Sequence, residues 1–139
     1  MTALAALAAR AERVGALKGE IFVFGSNLAG RHGKGAALFA LRNHGAIYGR
    51  GEGLQGSSYA IPTKDRNIRT LPLEEIEYAV LRFVAFARKN PSLRFAVTAI
   101  GCGLAGYKPS QIQPMFKDAP PNVILPPEFR ALEAQHGEG

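Results

Sequence analysis

The sequence holds a single cysteine, Cys102, so no disulfide forms within the chain, and that usage fits a reducing compartment. Long apolar runs are missing as well: none approaches the ~18 residues that a membrane-spanning helix needs. The apolar opening, TALAALAA, has no basic region before it, and Arg10, Glu12 and Arg13 follow soon after. It reads as a helix of the mature protein and not as a signal peptide, so a cytoplasmic protein without a membrane partner is expected. No Cys/His spacing suggests a metal site, and no cofactor is expected. Acidic residues are scarce. Lys+Arg number 17 against 11 Asp+Glu, giving a net charge of +6 and a pI near 9.8. The stretch from Arg31 to Arg50 contains Arg31, Lys34, Arg42 and Arg50 and no acidic residue. Such an excess suits an anionic partner: a nucleotide, a nucleic acid or a phosphorylated protein.

What is present is ordinary globular material, with 47% apolar and 20% charged residues in 139, enough for one domain with a real core. Residues 1–19 read as a lead segment, helical over 2–17, with Leu4, Leu7, Ala11, Val14 and Leu17 on one stripe. The run Ile21–Phe24 suits a strand buried on both faces. A loop, GSNLAGRHGKG, leads to a helix from Ala36 to Asn43 ended by His44 and Gly45. Residues 49–57 form a glycine-rich connection, and Ser58–Pro62 reads as a strand. Pro72 opens a helix with Glu74 and Glu75 in its first turn and Leu73, Ile76, Val80, Phe83 and Ala87 on its apolar face; Asn90-Pro91 stops it. Phe95–Ile100 reads as a central strand running into GCGLAGYKP. A short helical turn cut by Pro114 and a strand over Asn122–Leu125 follow, and residues 127–139 read as a loosely held tail. Alternating strands and helices over 20–126 make this an α/β sandwich.

Two strands thus lead into glycine-rich loops, one after Phe24 and one after Ile100. In open α/β sheets ligands sit beyond the carboxyl ends of strands. Glycines there let backbone N–H groups approach phosphate oxygens without an intervening Cβ. A helix starting just past the first loop adds the partial positive charge of its N-terminus. The first loop lacks the G-x-x-x-x-G-K-[ST] spacing, which argues against a P-loop ATPase. A G-x-G-x-x-G dinucleotide fingerprint is read as absent from both loops, although Gly101-Cys102-Gly103 begins like one and then runs Leu104-Ala105-Gly106. A Rossmann half requires a further βαβ unit, however, and the roughly 30 residues that remain are too few.

The pairing of VFGSNLAGRHGKGAALFAL with AVTAIGCGLAGYKPSQI resembles the macro domain. It is most similar to the branch with the terminal ADP-ribose glycohydrolase and the DNA ADP-ribosyl glycohydrolases. It also looks like small phage and prophage nonstructural proteins. The resemblance spans roughly Ile21 to Leu125. It implies a three-layer α/β/α sandwich with a mixed central sheet, binding ADP-ribose or a related nucleotide, with ADP-ribosylated DNA or protein as wider targets. By that resemblance, Asn27, beside Gly25 and Ser26, contacts the distal ribose region. Gly33, Lys34, Gly35 and Ala36 line a phosphate-side loop. Gly101, Cys102, Gly103, Leu104 and Ala105 wrap the diphosphate, Gly106 is a ligand-binding residue of the same loop, and Tyr107 stacks on the distal ribose side. Lys64, in SYAIPTKD, falls where the hydrolytic branch has an attacking lysine. That branch carries an aspartate where this chain has Ala105, which favours binding over turnover. Asp65 is adjacent to Lys64, but on a strand it points to the opposite face.

Beside that resemblance stand plainer readings. Asn27 suits hydrogen bonding to its own turn. Lys64 suits a solvated strand end. Cys102 suits a small structural residue, with no histidine near it in sequence. His32 and His44 suit loop and helix-end positions, and Tyr48, Tyr59 and Phe39 suit the core. Three functions remain: a binder of ADP-ribose or a related nucleotide, a lysine-dependent ADP-ribosyl hydrolase, and a nucleic-acid-binding protein drawing on the net charge. The third has no evident stacking platform.

Overall fold

The computed structural model describes residues 20–137; the lead helix expected over residues 2–17 lies outside them. Strand β1 (Glu20–Asn27) begins with the expected apolar run and continues through Gly25, Ser26 and Asn27. Strands β3 (Ser58–Lys64) and β4 (Arg94–Val97) flank it, both parallel. Strand β5 (Val123–Ile124) pairs in parallel beyond β4. Strand β2 (Gly53–Gln55) lies antiparallel to β3 at the other edge, so the sheet is mixed, in the order β2-β3-β1-β4-β5. The glycine-rich connection therefore contains a strand that its composition concealed.

Side chains alternate across each strand and so feed two separate cores. Ile21, Val23, Tyr59, Ile61, Phe95 and Val97 face helix α2 (Leu73–Lys89). Phe22, Phe24, Ala60 and Ala96 face helix α1 (Gly35–Asn43). Helix α2 has acidic residues in its first turn and Arg88 and Lys89 in its last, matching the helix dipole, and its inward stripe includes Ile76, Val80 and Phe83. The inward face of α1 is small, Ala37 and Ala40, and aromatic rings fill the space beside it. There the His44 imidazole, at the end of α1, stacks on Phe22 with ring centroids 4.9 Å apart.

Past β4 the chain forms a short helix α3 (Pro109–Ile112) and a 3-10 turn over Gln113–Phe116. Residues from Pro127 correct the expectation of a loose tail. They form helix α4 (Pro127–Gly137), and Phe129 is wholly buried, its ring 5.8 Å from that of Phe116. Burying one phenyl ring contributes about 1.5–3 kcal/mol toward docking this helix on the domain. Among the described residues no helix is long and apolar enough to cross a membrane.

Candidate functional site

Because β3, β1 and β4 run the same way, their carboxyl ends, Lys64, Asn27 and Val97, share one edge of the sheet. Hydrogen bonds between strand ends fix this edge. Thr63 Oγ1 donates to the Ser26 carbonyl at 3.2 Å, and Thr98 gives both its N–H and its hydroxyl to the Val23 carbonyl. The loop after β1 is pressed against the segment before β2: a Cβ on Gly30 would stand 2.3 Å from the Arg50 nitrogen. Above this edge opens a cleft of about 1410 Å³. It is roomier than the ~300–1,000 Å³ of most small-molecule sites.

Both glycine loops line the cleft, from Gly33 to Ala37 on one side and from Gly101 to Ala105 on the other. Helix α1 starts in the cleft with no side chain capping it and no acidic residue in its first turn. Among the described residues, the amides of Gly33 to Ala37 have no protein acceptor. Neither do those of Gly101, Gly103, Leu104 and Ala105. Unpaired amides at a helix start carry partial positive charge and favour an anion. Arg31, Lys34 and Lys64 line the same space against one carboxylate, Glu128 at the start of α4. The cleft therefore carries three cations against one carboxylate, which is close enough to Cys102 in the second loop to act on its thiol. Among the described residues no group of three His, Cys, Asp or Glu side chains is placed to hold a metal.

Of the residues singled out in the sequence, Gly25, Ser26, Asn27, Gly33, Lys34, Gly35, Ala36, Lys64, Gly101, Cys102, Gly103, Leu104 and Ala105 all line the cleft. Gly106 and Tyr107 do not. The Tyr107 hydroxyl donates to the Leu71 carbonyl at 2.7 Å, and its ring packs against the α2-side core, so it is a strut of that core instead of a stacking surface. Asn27 is committed to its own loop: its amide donates to the Arg31 carbonyl and its carbonyl accepts from the Arg31 N–H, both at 2.9 Å. Ser26 is likewise engaged, its hydroxyl donating to the Gly51 carbonyl. These two side chains shape the loop. Asp65 organises the turn after β3, its carboxylate accepting from the N–H groups of Asn67 and Arg69.

Cys102 is half-buried, and burial pushes its thiol up to about 11, with the nearby Glu128 carboxylate adding to the rise. A thiol so placed stays protonated and un-nucleophilic at neutral pH. His32, though in a loop, is wholly buried; its Nε2 lies 3.3 Å from Gln55 Oε1 and its ring stands edge-on to Phe24. Gln55 also accepts from the Ile47 N–H at 2.7 Å, so one buried amide ties the α1-side loop to the segment carrying Tyr48. Tyr48 is 62% exposed and lines the cleft, which corrects its assignment to the core; Tyr59 is buried, and Phe39 packs at the edge of the α1-side core.

Sequence reasoning missed Arg31, Thr63, Ile68, Thr98 and Glu128 as lining residues. Arg31 had a signal, as a cation inside the first glycine loop. Glu128 had none, since it reaches the cleft only because α4 folds back. Gly101 to Gly106 do carry the G-x-G-x-x-G spacing, yet no helix opens among them. The next one, α3, begins at Pro109 and has 4 residues, which is not the strand–turn–helix of a dinucleotide fold. Compared with family models and with curated proteins, the chain matched none.

Proposed function

We propose that this cleft binds ADP-ribose or a related nucleotide, with the diphosphate held between the two glycine loops. One observation carries the reading. Two runs of unpaired backbone amides, one at the start of α1 and one after β4, belong to residues that line a single cleft with Arg31, Lys34 and Lys64. A diphosphate supplies anionic oxygens for both, and amide–oxyanion hydrogen bonds are the strong kind. The cleft's size leaves room for the sugar and base that an inorganic anion lacks. The macro-domain resemblance supports the same ligand class.

Binding is favoured over turnover. Lys64 lines the cleft, but Ala105 offers no carboxylate to move protons at a ribose carbon. The test is amide-resolved NMR during addition of ADP-ribose. The reading predicts that the largest shifts fall on residues 33–37 and 101–105. Shifts centred on another face of the domain would refute it.

A further inference from the structure

Ile68 has φ +64, and it is the one non-glycine residue among those described in the left-handed region. Isoleucine is poorly suited to it, because its branched Cβ crowds the following carbonyl. The turn is over-determined around it. The Ile68 N–H donates to the Asp65 carbonyl at 3.1 Å, the Asp65 N–H donates to the Arg69 carbonyl at 2.7 Å, and the Asp65 carboxylate takes the amides on either side. Thr70 then fastens the turn to the second glycine loop, its hydroxyl donating to the Ala105 carbonyl at 3.0 Å.

What this strain holds in place is an exposed apolar side chain. Ile68 is 39% exposed and lines the cleft, as do Leu104 at 68% and Tyr48 at 62%. Leu104 precedes the residue to which Thr70 is fastened, so the turn and the glycine loop carry their apolar groups on linked segments. Asparagine or glycine would relax the backbone at position 68. A strained residue at a cleft, held there by its surroundings, is the pattern of a functional position.

We infer that Ile68 is a specificity-determining residue whose side chain packs on an uncharged ring, sugar or base, joined to the diphosphate in the cleft. The inference rests on the nucleotide reading and adds the part of the ligand that the amides do not select. The glycine loops hold the anion, and the Ile68 turn with Leu104 admits ring-bearing diphosphates in preference to bare ones.

The test compares the wild type with Ile68→Asn and Ile68→Val, by calorimetry with ADP-ribose, ADP, ribose 5-phosphate and inorganic pyrophosphate, and by thermal unfolding. Ile68→Asn should weaken ADP-ribose about 5- to 20-fold, the loss expected from removing part of an aliphatic contact. Its affinity for pyrophosphate should equal that of the wild type. Its melting temperature should hold or rise by roughly 2 to 6 °C as the backbone relaxes. Ile68→Val keeps the aliphatic contact and should bind ADP-ribose within about 3-fold of the wild type. ADP and ribose 5-phosphate identify which ring is touched. ADP-ribose affinity unchanged in Ile68→Asn would overturn the inference and leave the nucleotide reading standing. So would an equal loss for pyrophosphate, or a fall in melting temperature that tracks the loss of affinity. A wild type that binds none of the four probes fails the nucleotide reading itself.

Discussion

Gly103→Val separates the ligand from the fold. Gly103 lies outside the left-handed region, and a Cβ built on it meets no heavy atom within 4 Å. A valine there should change folding stability by no more than ~0.5 kcal/mol, as at an ordinary surface site. Its branched side chain would stand in the cleft, where a phosphate oxygen has to reach the amides of the second loop. Losing one charge-assisted hydrogen bond costs about 1.5–3 kcal/mol, or ~10- to 100-fold in affinity. Gly101→Ala is the contrasting control. Gly101 has φ +74, and its Cβ would lie 3.1 Å from Ile112 Cδ1. Alanine there is strained by ~1–2 kcal/mol and should lower the melting temperature by roughly 3 to 8 °C. Calorimetric titration with ADP-ribose and thermal unfolding, run on both variants, read the two effects separately. A folded Gly103→Val protein with undiminished affinity would refute the reasoning and move the ligand away from this loop.

Phe129→Ala should cost about 3–5 kcal/mol, because the ring is wholly buried, and chemical denaturation measures it; a near-neutral result would return α4 to the status of a loose tail. Burial lowers the pKa of His44 below its ordinary 6.5, so the unfolded chain binds the proton more readily. This part of the stability is fully present above about pH 6.5 and is lost as pH falls toward the folded-state value. Melting temperature against pH should show that acid-side loss, and His44→Phe should flatten it. Cys102, with its thiol pushed up to about 11, should react slowly with iodoacetamide at pH 7.5, and Cys102→Ser should bind within a few-fold of the wild type. Assayed on ADP-ribosylated DNA or protein, the wild type should release little ADP-ribose. Ala105→Asp should gain turnover that Lys64→Ala removes, whereas robust wild-type hydrolysis would overturn the preference for binding.

The two cores were legible because their signal is local. Ile21 to Phe24 and Phe95 to Val97 are unbroken apolar runs, and α2 carries its face, its acidic start and its proline boundaries within one segment. The glycine loops were legible because each lies near the end of an apolar strand, although β1 runs on through Gly25, Ser26 and Asn27 and β4 stops at Val97, short of the strand end expected at Ile100. What escaped depends on partners distant in sequence. Strand β2 is 3 residues long and is defined by pairing with β3, while the buried side chain of Gln55 finds its partners in His32 and Ile47. Tyr107 was assigned to the ligand by its place beside the loop, but the direction of its hydroxyl is set by the Leu71 carbonyl 36 residues earlier. Glu128 enters the cleft only through the docking of Phe129. The conformation of Ile68 has no sequence signal, since isoleucine is among the last residues expected at a positive φ.

The central claim is that backbone amides of two loops hold a nucleotide diphosphate, and titrating the wild-type protein with ADP-ribose in a calorimeter tests it most directly. The account predicts saturable one-site binding in the micromolar range, about 7 to 9 kcal/mol. A ligand at 100 times its Kd also adds about 2.7 kcal/mol to the stability of the folded state, so the melting temperature should rise with it. No heat and no rise in melting temperature at millimolar ADP-ribose, or with its phosphorylated and cyclic forms, would contradict the account.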